Sequence, residues 1–295
     1  MKLIVHRGGV RLDKLISEAT GCGRRRAAQW IREGRVRVDG RAALAATPAQ
    51  AGQSVEISDP NPIAVTPVDA ARPVRILLAR GDLLAVDKPA GLHTQHGRSG
   101  GSVAEFLERC FPAIVQVGNR PEEAGTVHRL DRDTSGVLLA ATSGEEYRRL
   151  RSLFSQGQVV KDYLALVAGR LGGAVVVERP LATRASRVVP ASRHERGRAA
   201  RTVATALETG DGWSLVHARM CTGVRHQIRA HLALSGHPLL GDGKYGGPVL
   251  PSAPRGGHLL HAMRVRIDGE LDVTAPVPAD FAETYAGLRT RRFRV

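Results

Sequence analysis

The chain has 295 residues and carries 43 Lys and Arg against 28 Asp and Glu, a net charge of +15 at a pI near 10.9. Apolar residues make up 42%, enough to fill a core and too many for a disordered chain. No apolar run approaches the roughly 18 residues of a membrane helix, and the N-terminus MKLIVHRGGVRLDK meets charge too early for a secretory signal.

Cys22, Cys110 and Cys221 are odd in number and far apart, so they build neither a disulfide framework nor a zinc site. A cytoplasmic protein with no metal and no cofactor is expected. Of the basic residues 38 are Arg and five are Lys. Guanidinium suits bidentate phosphate contact and stacking on bases. Nucleic acid is therefore the expected partner rather than an anionic membrane, because no basic amphipathic helix stands out. At 4% aromatics, an extended stacking platform for single strands is not expected.

Residues 59–73 read DPNPIAVTPVDAARP, four prolines in fifteen positions, and predict a linker between a domain at 1–58 and a larger one at 74–295. In the small domain Leu12, Leu15, Ile16 and Ala19 recur at helical spacing up to Gly21. A second helical stretch, RRRAAQWIREG, runs from Arg24 to Gly34. A short strand with Val36 and Val38 inward follows, then an Asp39-Gly40 turn and a returning strand at Ser54–Ile57.

The runs R-L-D-K-L-I, I-R-E-G-R-V-R-V-D-G and G-Q-S-V-E-I, with a basic helix between the first two, resemble the S4 RNA-binding domain. That resemblance implies two helices packed on a few strands. It also implies that Arg11, Lys14, Arg24, Arg25 and Arg26 face structured RNA. Read alone, the triple Arg fits a solvated helix face equally well.

The large domain opens with ILLAR-GD-LLAVDK, two apolar runs about a Gly-Asp turn that predict a hairpin. Gly136–Thr142 has the length of a buried strand. Ser143 then begins S-G-E-E, a capping box for a helix carrying Tyr147, Leu150 and Phe154. Val159–Val167 predicts a strand with Lys161, Tyr163 and Ala165 on one face. HQIRAHLALS at 226–235 predicts a helix ending at Gly236, with Pro238 beyond. The basic stretch 184–201 reads either as a contributor to target choice or as a hairpin with solvated arginines. No βαβ rhythm appears, so the fold class is α+β rather than doubly wound.

Polar residues crowd V-H-R-L-D-R-D-T-S-G at 127–136, directly before the apolar strand. Fixed catalytic groups are often held in such a place. A turn whose Asp and Ser side chains bond backbone amides would read the same way. The stretch resembles the catalytic motif of RluA-type pseudouridine synthases, H-R-L-D-x-x-T-S-G. The blocks V-D-K-P-A-G-L (86–92), K-D-Y-L-A-L-V-A-G (161–169), T-G-V-R-H-Q-I-R-A-H-L-A-x-x-G-H-P-L-L-G-D-x-x-Y-G (222–246) and H-L-L-H-A (258–262) follow in the family's order.

The resemblance covers about 85 to 265 and implies a mixed, mainly antiparallel sheet with flanking helices. It further implies isomerisation of uridine in RNA to its C-glycoside, with Asp131 as nucleophile at the ribose C1′ or the base C6. Arg229 is the cation expected to keep Asp131 ionised. Tyr163 is expected to pack on the base or to help remove the C5 proton. Arg129 is the candidate to support a flipped-out nucleotide. Arg132, Thr134, Arg225, His226 and Gln227 complete the expected RNA contacts with Lys88, which reads either as a phosphate contact or as packing at the pocket rim, while Ser135 reads as a backbone-bonding turn residue and Asp133 as shaping the loop. Val224 departs from the Arg or Lys usual after T-G, so the substrate interaction made there is either missing in this chain or supplied by Arg225.

Gly241-Asp-Gly-Lys-Tyr-Gly246 satisfies G-x-G-x-x-G but follows a helix and a Pro, so no nucleotide cofactor is expected. His226 and His231 are five apart and do not share a helix face as metal ligands would. The reading that results is a monomeric RNA pseudouridine synthase. Large-subunit ribosomal RNA is its expected substrate and transfer RNA the alternative. A non-catalytic RNA-binding or ribosome-assembly factor and a glycosylase are the competing classes.

Overall fold

The computed structural model describes residues 2–5, 8–20, 24–32, 34–44, 47–57, 73–96, 101–192, 195–250 and 257–290. The proline-rich stretch 59–73 lies outside them except for Pro73, as do Gly21 and the side chains of Arg24, Arg25 and Arg26.

The N-terminal unit runs β1 (Lys2–Ile4), β2 (Val10–Arg11), α1 (Leu12–Thr20), α2 (Arg24–Arg32), β3 (Val36–Val38), β4 (Arg41–Ala42), β5 (Pro48–Ala49) and β6 (Ser54–Ile57). Its main sheet has the order β1-β6-β3-β4, all antiparallel, and β2 pairs with β5. Leu12 and Ile16 from α1 meet Ala27 and Ile31 from α2, each pair four residues apart on one helix face. Val36, Val55 and Ile57 close this core from the sheet. The β3–β4 turn puts Asp39 at φ 51° and Gly40 at φ 79°, the left-handed pair a two-residue hairpin demands. The short strands β1, β2 and β5 carry no alternation long enough to be read from sequence.

The larger unit begins with the hairpin β7 (Arg75–Arg80) and β8 (Leu83–Lys88), turning at Gly81. Helix α3 (Val103–Cys110) and a 3-10 turn (Pro112–Gln116) lead to β9 (Ser135–Ala141), α4 (Gly144–Ser155) and β10 (Val159–Ala168). Next come β11 (Ala174–Glu178), the hairpin β12 (Leu181–Arg184) and β13 (Arg187–Pro190), then β14 (Arg201–Thr209) and β15 (Trp213–Met220). Helix α5 (Gln227–Leu234), β16 (Leu260–Ile267), β17 (Leu271–Thr274) and α6 (Ala279–Thr290) complete the unit.

The large sheet has the order β11-β14-β15-β10-β16-β9-β8-β7, with β17 on β16. Among the described strands of this sheet only β16 and β9 pair in parallel, His261 beside Ser135 and Ala262 beside Gly136; the other strand pairs are antiparallel. A mixed, mainly antiparallel sheet flanked by helices is the α+β architecture expected.

Both faces of this sheet are covered, which is why its central strands read as unbroken apolar runs. All seven residues of β9 are buried. Along β10, Tyr163, Ala165 and Val167 face a core that includes Tyr147 and Leu150 of α4, with Phe154 packed against it. Leu164, Leu166 and Ala168 face another, closed by Phe281 and Leu288 of α6. Burying each such large apolar side chain is worth about 1.5–3 kcal/mol.

Ser143 caps α4 by accepting the Glu146 N–H at 3.3 Å. The expected reciprocal half of the box is replaced, because the Glu146 carboxylate takes two bonds from Arg149, both at 2.7 Å. The β12–β13 hairpin lies within the basic stretch, of which Arg193 and His194 fall outside the described residues.

Candidate active site

Residues 127–134 double back along β9 before entering it. Val127 N–H bonds Leu139 O at 3.2 Å, and His128 Nε2 accepts the Leu139 N–H at 2.9 Å. The His128 ring stacks on Phe154 of α4, centroids 4.7 Å apart. Thr94 Oγ1 donates to Leu130 O and accepts its N–H, at 2.9 and 3.1 Å. The turn closes through Thr134 N–H to Asp131 O at 3.1 Å. Asp131 therefore stands on a loop fixed from both flanks.

The Asp131 side chain is 15% exposed, so one side of the carboxylate reaches solvent. Arg229, in the first turn of α5, donates from Nη1 to Asp131 Oδ2 at 2.8 Å. The other edge of that guanidinium donates to Asp242, Nε to Oδ2 at 2.7 Å and Nη2 to Oδ1 at 2.9 Å. Burial pushes the Asp131 carboxyl upward, but the charge His226 carries when protonated, the hydrogen bond and charge of Arg229, and the charge of a protonated His258 together hold it below the ordinary value. Burial lowers His226 and His258 themselves to about 4, so at neutral pH both are uncharged. Arg229, whose own pKa is raised by Asp242 and Asp131 against burial, is thus the cation that keeps Asp131 ionised.

Tyr163 is 3% exposed on the same face of β10 as Ala165. Burial, and then the Asp131 charge, push its phenol above the ordinary range, so it stays protonated. His226 Nε2 lies 3.7 Å from Asp131 Oδ1. The structure therefore gathers Asp131, Tyr163, and the pair His226 and Arg229 at the start of α5, which come from three separate segments.

Three expected RNA contacts are corrected. Lys88 is fully buried, and its ammonium donates to the carbonyls of Pro89, Leu92 and Arg132 at 3.0, 2.7 and 2.8 Å. Burial lowers its pKa to about 7, yet three acceptors match the three protons of the charged form. It clamps the end of β8 to the Asp131 loop and cannot touch a phosphate. Gln227, 2% exposed, accepts from Thr222 Oγ1 and Val224 N–H and donates to Arg201 O and Thr202 Oγ1, which fills its amide. Thr134, 2% exposed, bonds His258 Nε2 at 2.8 Å. Ser135 likewise bonds a side chain, His261 Nδ1 at 2.9 Å, rather than backbone.

Arg129, Arg132 and Arg225 are exposed around the site, Arg132 with one bond to Gly91 O. Val224 is buried against Leu181, Val188 and Ala230, so no substrate contact originates from that side chain. In the N-terminal unit Arg11 is exposed and bonded twice to Asp13, and Lys14 is exposed. Asp133 packs close to Gly257, where an added Cβ would come within 2.9 Å of the Asp133 Cβ.

Spacing alone did not single out Asp242, Tyr245 or His258. The signal was present in the G-D-G-K-Y-G and H-L-L-H-A runs. Among the described residues no group of His, Cys, Asp and Glu could hold a metal ion, and no helix is long and apolar enough to cross a membrane.

A family model described as RNA pseudouridylate synthase matches residues 82–234, and an S4 domain model matches 10–55. This chain belongs to the RNA pseudouridylate synthase family. Its reaction is the isomerisation of uridine in RNA to pseudouridine. Asp131, Tyr163 and Arg229 all lie within the matched region, whereas Asp242, Tyr245 and His258 lie beyond it.

The chain is 35% identical to the ribosomal large subunit pseudouridine synthase D of Nitrosomonas europaea, over 95% of this chain and 85% of that protein. It is 29% identical to the synthase D of Escherichia coli O157:H7, over 95% and 91%. Human RNA Pseudouridylate Synthase Domain Containing 4 superposes with a TM-score of 0.60 at 24% identity, over 77% of this chain and 96% of that one, which supports the fold.

Proposed function

We propose that this pseudouridine synthase acts on large-subunit ribosomal RNA, as a monomer in the cytoplasm, with residues 1–58 anchoring structured RNA and 74–295 carrying the chemistry. The names of its relatives and the net charge of +15 support an RNA of that class.

The single observation that carries the residue assignment is the Asp131–Arg229 pair, a carboxylate held ionised by one guanidinium yet still open to solvent. Asp131 is the nucleophile. The N1–C1′ bond breaks, the base rotates, C5 bonds C1′, and the C5 proton leaves as N1 gains one, so atoms and electrons balance without an added reductant or energy source. Attack at C1′ or at C6 begins with the same carboxylate.

The target bond is hidden in stacked RNA, so the nucleotide must be extruded. Arg129, exposed and two residues before Asp131, is placed to occupy the gap. Tyr163 packs on the uracil. Its phenol, kept neutral by burial and by Asp131, is a poor base for the C5 proton.

The test is tritium release from large-subunit ribosomal RNA labelled at uracil C5, with carbodiimide-stop mapping of the product. The expected result is release without free uracil by the wild type and none by Asp131→Asn, which still binds RNA. Turnover by Asp131→Asn removes the nucleophile assignment. Binding without release points to a scaffold, and free uracil to a glycosylase.

A further inference from the structure

Tyr245 stands between the Asp131 site and the β12–β13 hairpin. The hairpin docks on the Gly241–Gly246 turn at two points. The Arg187 guanidinium donates to Lys244 O, and the Val188 N–H donates to the Tyr245 hydroxyl at 2.9 Å. Leu181 and Val188 of the hairpin also pack with Ala200, Val224 and Ala230, and the Tyr245 ring lies against this cluster.

On its other side the same hydroxyl is 2.9 Å from His226 Nδ1. Because Val188 supplies a proton to the phenol oxygen, the phenol's own proton is available to Nδ1. That arrangement favours the Nε2–H tautomer of the imidazole, and Nε2 is the nitrogen facing Asp131 Oδ1 at 3.7 Å. The Tyr245 ring also stands under Arg229, whose Cζ is 5.1 Å from its centroid, and meets the His226 ring edge-on at 5.8 Å. One phenol therefore supports both groups that face the two Asp131 oxygens.

His226 adds an independent observation. It begins α5 with φ 55° and ψ 19°, a left-handed backbone in a residue that is not glycine. Such conformations persist where the surroundings over-determine them, often at functional sites. The Tyr245 hydroxyl is the bond that holds this ring.

We propose that Tyr245 is a positioning residue for the isomerisation, setting the His226 tautomer and the seat of Arg229 about Asp131, and taking its own place from the hairpin Leu181–Pro190. The proposal rests on Asp131 as the nucleophile.

The experiment uses the full-length enzyme and an in vitro transcript of large-subunit ribosomal RNA tritiated at uracil C5. Single-turnover release is measured at saturating enzyme, with filter binding and thermal melts alongside. Tyr245→Phe keeps the ring and removes the hydroxyl. His226→Asn keeps a residue that tolerates the left-handed backbone.

Each single variant is expected to slow the saturated rate roughly tenfold while RNA affinity stays within about twofold. The double variant is expected to be no slower than His226→Asn, because the hydroxyl acts through the imidazole. Nitrogen-15 shifts of the wild-type imidazole, assigned by loss of the signal in His226→Asn, should report Nε2–H.

Wild-type rate in Tyr245→Phe beside an inactive Asp131→Asn overturns the proposal alone. So do losses that multiply in the double variant, a loss confined to RNA affinity or melting temperature, or an Nδ1–H signature in the wild type. Turnover by Asp131→Asn instead removes the underlying reading of the site.

Discussion

Arg229 reaches Asp131 at 2.8 Å across 98 positions of the chain, and the rest of its guanidinium is bonded twice to Asp242. The Asp242 side chain is only 1% exposed, so it acts as a fixed anchor, and Asp131 is the more exposed partner of the two. A planar guanidinium can hold both carboxylates at once, which a lysine ammonium cannot do with the same geometry.

Arg229→Gln should therefore act twice. Loss of the cation lets burial raise the Asp131 pKa, so the acid limb of the pH–rate profile moves to higher pH. The proposed nucleophile reacts as the carboxylate, so rate is lost as pH falls through its pKa. The maximal rate should drop by about 10²–10³-fold, the scale of removing a preorganised electrostatic partner. The buried Asp242 is also left unpaired, costing about 3–5 kcal/mol in urea denaturation. An unchanged acid limb would separate Arg229 from the ionisation of Asp131.

Lys88→Met should lower stability by about 3 kcal/mol or more, because three carbonyls lose a donor and each unsatisfied buried acceptor costs about 1–3 kcal/mol. One of them, Arg132 O, belongs to the Asp131 loop, so hydrogen exchange there should rise with it. A phosphate-binding lysine would instead show weaker RNA affinity and normal stability.

Acid should unfold the protein earlier than its carboxylates alone require. His128, His226 and His258 have folded pKa values lowered by burial to about 3, 4 and 4. An unfolded His takes a proton near pH 6.5, so below that pH the unfolded state binds more protons and stability falls as pH drops, down to the folded pKa. Between pH 7 and 5 His128 alone contributes a loss of about 2 kcal/mol. His128→Gln should flatten the urea midpoint across this range, and equal slopes in the two proteins would contradict the assignment.

Gly136→Ala should cripple the enzyme without touching a reacting group. Gly136 has φ 112°, and an added Cβ would lie 2.1 Å from Ala262 O in the parallel β9–β16 pairing. Separating those strands would also pull Thr134 and Ser135 from His258 and His261. The expected result is a cost of about 3 kcal/mol or more with loss of turnover, checked by denaturation and tritium release.

The elements most legible in the sequence were those whose signal is local. The 75–88 hairpin, the apolar β9 and the helix after Ser143 each show themselves within a dozen residues. The strand at 159–168 also displayed its two faces, one carrying Tyr163. Less legible were β1, β2 and β5 of the N-terminal unit, too short for any periodicity. The parallel β9–β16 pair was equally hidden, since it joins residues about 126 positions apart.

By itself the sequence determined the chemistry class, because an ordered set of motifs and a surplus of guanidinium charge need no coordinates to be read. It also determined where Asp131 sits along the chain. Only the tertiary structure decided which polar residues stay available to RNA. Lys88, Thr134 and Gln227 look like ligands in the one-dimensional pattern, yet carbonyls and side chains from distant segments consume their donors and acceptors. The reason is that a buried hydrogen bond is fixed by where the chain folds back, and composition or spacing carries no record of that partner.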